Sequence, residues 1–226
     1  MDPTHTYIVS DLHLGNEHFC RDNFLSWLEA LPAGAQLVLN GDVLDDPGVP
    51  LSTDHSQVLD RLREESHQRP VIWIRGNHDR DVVLEDAGHI RFEPHWEIGR
   101  RLLVVHGDHF DGVMPRYPIF KHAFKFLHRI LVQIGFPDVH VAEYAKKWDF
   151  LYRVLNRHVA AKALQVAQAQ DFEAVTCGHT HAATEIERDG RRYLNTGAWT
   201  EQPHYYVTVN GTSIALKSYP NGHAHC

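Results

Sequence analysis

The chain has 226 residues and is 43% hydrophobic, enough to bury one substantial core and likelier to form one domain with an insertion than two independent ones. No stretch approaches the roughly 20 apolar residues that span a bilayer, and the first residues, MDPTHTY, lack the basic and apolar regions of a signal peptide, so a cytosolic address is expected. The formal charge of −7 is unevenly spread, since residues 113–170 hold nine Lys/Arg against three Asp/Glu on an otherwise acidic chain, which assigns an anionic partner to that segment.

The first hundred residues alternate short apolar runs with helical patterns. TYIVS, AQLVLN and PVIWIR read as buried strands, separated by NFLSWLEAL and HSQVLDRLREE, whose apolar residues recur at helical spacing. This is a βαβαβ pattern with a parallel sheet. RLLVVH adds a strand. After residue 171 come FEAVTC and two pairs of alternating runs joined by DG and NG, strong hairpin signals. Between these halves a helical insertion is expected at about 113–170. Phe120, Phe124, Leu127, Leu131 and Ile134 share one helical face before Gly135 and Pro137. A second helix is expected over 142–169, with Trp148, Leu151, Leu155 and Val159 on one face and Arg153, Arg157 and Lys162 elsewhere.

The three cysteines, Cys20, Cys177 and Cys226, are few and far apart, which argues against a disulfide framework or a thiolate zinc site and reads as isolated thiols. The nineteen histidines are the unusual item, and their positions decide their meaning. Every core strand ends in polar groups suited to metals: Asp11 and His13 after TYIVS, Gly41-Asp42 after LVLN, Gly76-Asn77-His78-Asp79-Arg80 after VIWIR, His106-Gly107-Asp108 after LLVV, and Gly178-His179-Thr180-His181 after AVTC. In open α/β sheets ligands bind beyond the carboxyl ends of the strands. In an extended backbone, residues two apart face the same side, so Asp11 and His13 are expected to converge. Carboxylates, imidazoles and an amide oxygen without thiolate suit Mn, Fe, Zn or Ni. The set is too large for one open site and suits two cations about 3.5–4 Å apart sharing a carboxylate.

The ordered set D-x-H, G-D-x-x-D, G-N-H-D, H-G-D and G-H-T-H, spanning residues 11–181, resembles the calcineurin-like metallophosphoesterases. The resemblance implies an α/β fold: a β-sandwich flanked by helices in four layers, here with the helical insertion. It implies Asp11, His13 and His181 on one metal, Asn77, His106 and His179 on the other, and Asp42 bridging. It gives His78, paired with Asp79, the role of protonating or orienting the leaving oxygen, and aligns Asp45 with the last position of G-D-x-x-D. Two divalent ions, Mn foremost with Fe, Zn or Ni as alternatives, would activate water for attack on phosphorus. Arg80 could bind a phosphate oxygen or form a surface salt bridge.

SDLHLG, HGDHFDG and the insertion look most like the bacterial pyrophosphatases of lipid A synthesis that hydrolyse UDP-2,3-diacylglucosamine, and their relatives. An amphipathic, basic insertion could bind acyl chains and a diphosphate through Arg153, Arg157 and Lys162 and touch the membrane surface peripherally, or simply pack. GNHD where those enzymes read G-N-R-D, and NTGAW at the end of the DG hairpin, place the chain nearer the relatives. The alternatives are a phosphodiesterase or phosphatase for a soluble nucleotide, and a non-catalytic scaffold. No nucleic-acid partner is expected, because the body is acidic and base-stacking aromatics are not interleaved with basic residues outside the insertion. Oligomeric state is left open.

Overall fold

The computed structural model describes residues 5–111, 139–211 and 213–219. The chain divides into two compact units, residues 1–108 with 163–226, and residues 109–162. The first unit contains two sheets. One has the order β11-β10-β1-β2-β3-β4, built from Ser213–Tyr219, His204–Asn210, His5–Val9, Gln36–Asn40, Val71–Ile74 and Arg91–Glu93. The other has the order β5-β6-β7-β9-β8, built from Trp96–Ile98, Leu102–Val104, Ala174–Cys177, Arg191–Asn195 and Thr184–Arg188.

Strands β1 to β4 run parallel, as do β6, β7 and β9. The expected βαβαβ pattern is therefore present, with helices α1 (Arg21–Glu29) and α2 (Thr53–Ser66) as crossovers. Both lie within two residues of their sequence-based bounds. In α2, Ser52 Oγ accepts from the His55 amide at 3.3 Å and starts the helix. Val58, Leu62 and Glu65 fall on its buried face, and Glu65 is ion-paired with Arg61 at 2.8 Å and Arg69 at 2.6 Å.

The central strands are buried on both faces, and their alternation sorts side chains into two core layers. Val9, Leu37, Leu39, Val71 and Trp73 join Phe24, Trp27, Leu28, Val58 and Leu62 of the helices. Ile8, Val38, Ile72 and Ile74 instead meet Leu102, Val104, Ala174 and Leu194 of the opposite sheet. Period-two alternation in strands and 3.6-residue spacing in helices together produce two sheets flanked by helices.

The hairpin signals hold, with one shift. Asp189 and Gly190 both have positive φ, +53° and +73°, between β8 and β9, the geometry of a type I′ turn. At the second hairpin Asn210 is still paired with Ser213, so the loop begins at Gly211, one residue later than the NG pair implies. Strands β4 and β5 went unpredicted because three residues are too few to show alternation.

Helix α3 covers Val139–Ala169, and among the described residues no helix is long and apolar enough to cross a membrane. On its expected apolar face Val159 is buried and Leu155 partly so, while Arg153, Arg157 and Lys162 are exposed. The expected helix through Phe120 to Ile134 lies outside the described residues, as do the side chains of Trp148 and Leu151. Cys177 is a buried free thiol, as expected.

Candidate metal centre

Because β1, β2, β3, β6 and β7 are parallel within their sheets, the residues following them emerge together. The expected convergence of Asp11 and His13 occurs, but by a different route. Strand β1 ends at Val9, and Asp11 and His13 have φ of +53° and +52°. Their amides donate to the carbonyls of Gly41 and Asp42, each at 3.0 Å. They share a side because alternate residues are left-handed, not because the strand is extended. Asp42, His179 and His181 are also left-handed, at +51°, +63° and +55°. Thus five of the seven described non-glycine residues with positive φ belong to the seven predicted ligands. Each such residue carries about 1–2 kcal/mol of steric cost, and strain of this kind persists where surrounding structure holds it and gathers at functional sites.

The side chains form two adjoining clusters. His181 Nε2 lies 3.3 Å from Asp11 Oδ1 and 3.1 Å from His13 Nε2. His106 Nε2 lies 3.2 Å from Asp42 Oδ2 and 3.3 Å from Asn77 Oδ1, and His179 Nδ1 lies 2.8 Å from Asn77 Oδ1. Asp11, His13 and His181 have ligand atoms within 4.8 Å of one another, and so do Asp42, His106 and His179. His179 also joins the clusters, its amide lying 3.1 Å from both Asp11 oxygens.

The second nitrogens of the imidazoles are fixed from behind. His106 Nδ1 lies 2.8 Å from the Asn40 carbonyl, leaving Nε2 directed at the cluster. His13 Nδ1 lies 2.9 Å from Asp45 Oδ1. Partners of this kind set tautomer and ring orientation in metal sites. The motif glycines have a steric reason. A Cβ on Gly76 would come closer than 3.0 Å to Asp42, one on Gly178 to Asp11 and Ser10, and one on Gly41 to His106. Each glycine makes room for a candidate ligand from a different strand.

The electrostatics favour cations. Asp11 and Asp42 are buried, at 0% and 2% exposure. Burial opposes charge on the His106 ring, yet the carboxylates of Asp42 and Asp11 prevail and raise its pKa to about 10. His181 is likewise raised, against burial, by Asp11. Burial would raise Asp42, but His106 and His78 hold it well below the usual carboxylate range. His13 is lowered, chiefly by burial. The buried carboxylates thus draw protons onto imidazoles, positive charge that a divalent ion would supply instead. The donors are carboxylates, imidazoles and one amide oxygen, a set that fits divalent transition metals.

Other predicted residues are placed differently. Asp79 does not pair with His78. Its carboxylate accepts from the Gly76 amide at 2.7 Å, the Val43 amide at 2.8 Å and Trp73 Nε1 at 3.0 Å, because it is fully buried and those N–H groups must be satisfied there. His78 Nδ1 instead lies 2.7 Å from the Asp45 carbonyl, and its amide donates to Asp42 Oδ1 at 2.9 Å. Arg80 is bridged to Asp108 at 2.8 Å, the salt-bridge alternative. Arg153, Arg157 and Lys162 belong to the second unit. Sequence reasoning missed the support given by Asn40 and Asn195, whose only local signal is an asparagine closing an apolar strand.

The model of the calcineurin-like phosphoesterase family matches residues 4–183. Among curated proteins, the DNA polymerase II small subunit of Thermoplasma acidophilum is 23% identical over 245 residues, covering 92% of this chain and 48% of that protein. The small subunit from Pyrococcus furiosus is 21% identical, covering 92% and 39%. The chain thus spans less than half the length of these relatives. Among solved structures, vacuolar protein sorting 29 of Cryptosporidium parvum is 14% identical with a TM-score of 0.49, covering 98% of this chain and 100% of that one. The phosphoesterase YfcE of E. coli is 17% identical with a TM-score of 0.47, covering 95% and 98%. With the family model covering most of the chain and its motif residues gathered at one rim, the protein belongs to the calcineurin-like phosphoesterases, a family of metal-dependent enzymes that use dinuclear sites.

Proposed function

We propose that the chain hydrolyses a phosphoester or pyrophosphate bond at two divalent cations, with Asp11, His13 and His181 holding one, Asn77, His106 and His179 the other, and Asp42 shared. The observation that carries this reading is the juxtaposition of two ligand triads around buried, cation-demanding carboxylates. Bound there, the cations supply an activated water nucleophile and compensate the charge on phosphoryl oxygens.

The protein side chains do the rest. The left-handed loops hold imidazoles and carboxylates in a fixed array, so little reorganisation accompanies substrate entry. His78 directs Nδ1–H at the Asp45 carbonyl, so the neutral ring has its lone pair on Nε2, and it is the imidazolium form that would donate from Nε2 to the departing oxygen. Asp79 acts indirectly, by fixing the turn that carries Asn77 and His78. Arg80, Arg153, Arg157 and Lys162 are kept as candidate phosphate contacts, Arg80 only if it exchanges Asp108 for substrate.

For the substrate we propose a nucleotide-diphospho-lipid such as UDP-2,3-diacylglucosamine or a related anionic amphiphile, in keeping with the basic, exposed Arg153, Arg157 and Lys162 of α3. The test is to compare kcat/KM of the Mn-loaded protein on UDP-diacylglucosamine, cyclic nucleotides, dinucleotides and a chromogenic phosphodiester. Preference for the lipid-linked anhydride supports the proposal. Preference for the water-soluble esters removes the lipid assignment, and no turnover of any of them removes the hydrolase reading.

A further inference from the structure

Asparagine closes a central parallel strand in each sheet, and in each case it is tied to a neighbouring ligand-bearing loop. At the end of β2, Asn40 Nδ2 donates to the carbonyl of Val105, the residue before His106, at 3.0 Å, while its own carbonyl faces His106 Nδ1. At the end of β9, Asn195 Nδ2 donates to the carbonyl of Gly178, the residue before His179, at 2.8 Å. Asn195 is fully buried. Its amide nitrogen also lies 3.2 Å from Thr180 Oγ1 and 3.1 Å from the Tyr193 hydroxyl, and its Oδ1 accepts from the Gly197 amide at 2.8 Å.

These contacts sit at a junction. Gly178 and Thr180 flank His179, and Thr180 precedes His181, so Asn195 holds a backbone carbonyl on one side of a candidate ligand and a side-chain hydroxyl on the other, next to a second candidate ligand. Both histidines are left-handed, a conformation that needs external support. On the other side, Gly197 belongs to the turn that holds the Asp11 loop. Thr196 and Ser10 hydroxyls are 2.6 Å apart, Ser10 Oγ donates to the Gly197 carbonyl at 3.2 Å, and the Trp199 amide donates to the Asp11 carbonyl at 3.0 Å. One planar amide, with donors on one side and an acceptor on the other, therefore links the loop bearing His179 and His181 to the loop bearing Asp11 and His13. Among side chains of this size only the planar amide carries two donor hydrogens and a separate acceptor oxygen without a charge.

We infer that Asn195 is a positioning residue for the metal centre, fixing the strained His179–His181 loop against the Asp11 loop so that both cation sites are preformed. This rests on the two-cation reading above. Substitution should weaken cation binding beyond anything that lost stability alone would cause.

The test is Mn(II) binding by competition with a chromogenic chelator, on the full chain as wild type, Asn195→Ala, Thr180→Val and Leu62→Ala, with thermal melts of each in chelator. Leu62 is a buried α2 core residue that supplies no candidate ligand and controls for destabilisation. Asn195→Ala should raise the dissociation constant about 10- to 100-fold, the range for residues that support metal ligands, while Leu62→Ala melts lower yet binds as wild type does. Equal affinities in Asn195→Ala and Leu62→Ala overturn the inference alone. Should Asn195→Ala not fold, Thr180→Val decides: weakened Mn binding upholds the inference and unchanged binding overturns it. A wild-type chain that takes up no Mn overturns the two-cation reading and this inference with it.

Discussion

Asp45 Oδ1 lies 2.9 Å from His13 Nδ1, although the two residues are separated by 32 positions. The neighbouring carbonyl of Asp45 meets His78 Nδ1 at 2.7 Å, so one residue orients a candidate ligand through its side chain and the candidate acid through its backbone. Asp45→Ala removes the first contact, together with a carboxylate 3.9 Å from His78 Nδ1, and keeps the carbonyl that anchors His78. It should lower Mn affinity at the Asp11, His13 and His181 site by about 10- to 100-fold while leaving His78 anchored. Asp45→Asn retains an acceptor and should lose less. Calorimetric titration resolving two binding events checks both variants, and a loss confined to the other site would contradict the assignment.

The glycines offer a prediction that separates space from conformation. Gly76 and Gly178 are not left-handed, yet a Cβ at either would overlap Asp42 or Asp11. Gly76→Ala and Gly178→Ala should therefore abolish tight cation binding by displacing a carboxylate. Gly190 is the converse, with φ +73° and nothing within 4 Å of an added Cβ. Gly190→Ala should cost about 1–2 kcal/mol of stability from the left-handed backbone and leave metal binding and turnover unchanged. Chemical denaturation alongside Mn titration distinguishes the two behaviours.

The gathering of the candidate ligands was legible because composition changes abruptly where each apolar strand ends: Val9 gives way to Asp11 and His13, and Cys177 to His179 and His181. The geometry was not. Treating Asp11 and His13 as strand residues found the right neighbours for the wrong reason, since left-handed φ at non-glycine residues leaves no mark in sequence. Pairing His78 with Asp79 failed similarly. Adjacent residues point apart in this turn, and the groups that satisfy Asp79 come from Val43, Trp73 and Gly76. The helix expected through Phe120 and Phe124 lies outside the described residues.

Metal uptake should depend on pH with a definite sign. In the metal-free fold His106 has a pKa of about 10, raised over the opposing burial by Asp42 and Asp11, so it carries a proton at neutral pH that a cation must displace. Affinity should then rise with pH, by about tenfold per unit for each proton released, until the pH approaches that pKa. The same proton stabilises the metal-free fold. Since the folded pKa exceeds the unfolded value near 6.5, that stabilisation is complete below about pH 6.5 and is lost as pH rises toward 10. Titrations in buffers of different ionisation enthalpy count the released protons, and a count of zero would remove the protonated His106 from the apo state.

Turnover and metal binding should come apart at His78. Its side chain is 21% exposed and its ring lies edge-on to His13, with centroids 4.9 Å apart, and it groups with His13 and Asp45 rather than with either proposed ligand triad. Its amide, which bonds Asp42, survives any side-chain substitution. His78→Ala should therefore retain two Mn ions while kcat falls about 10²- to 10⁴-fold, the usual contribution of a positioned proton donor. The loss should be largest for esters with poor leaving groups, such as alkyl phosphodiesters, and small for a nitrophenyl ester whose oxygen departs without a proton. An equal fall on both kinds of ester, at full metal occupancy, would show that His78 serves the site without protonating the leaving oxygen. Unchanged turnover on both would exclude it from the chemistry altogether.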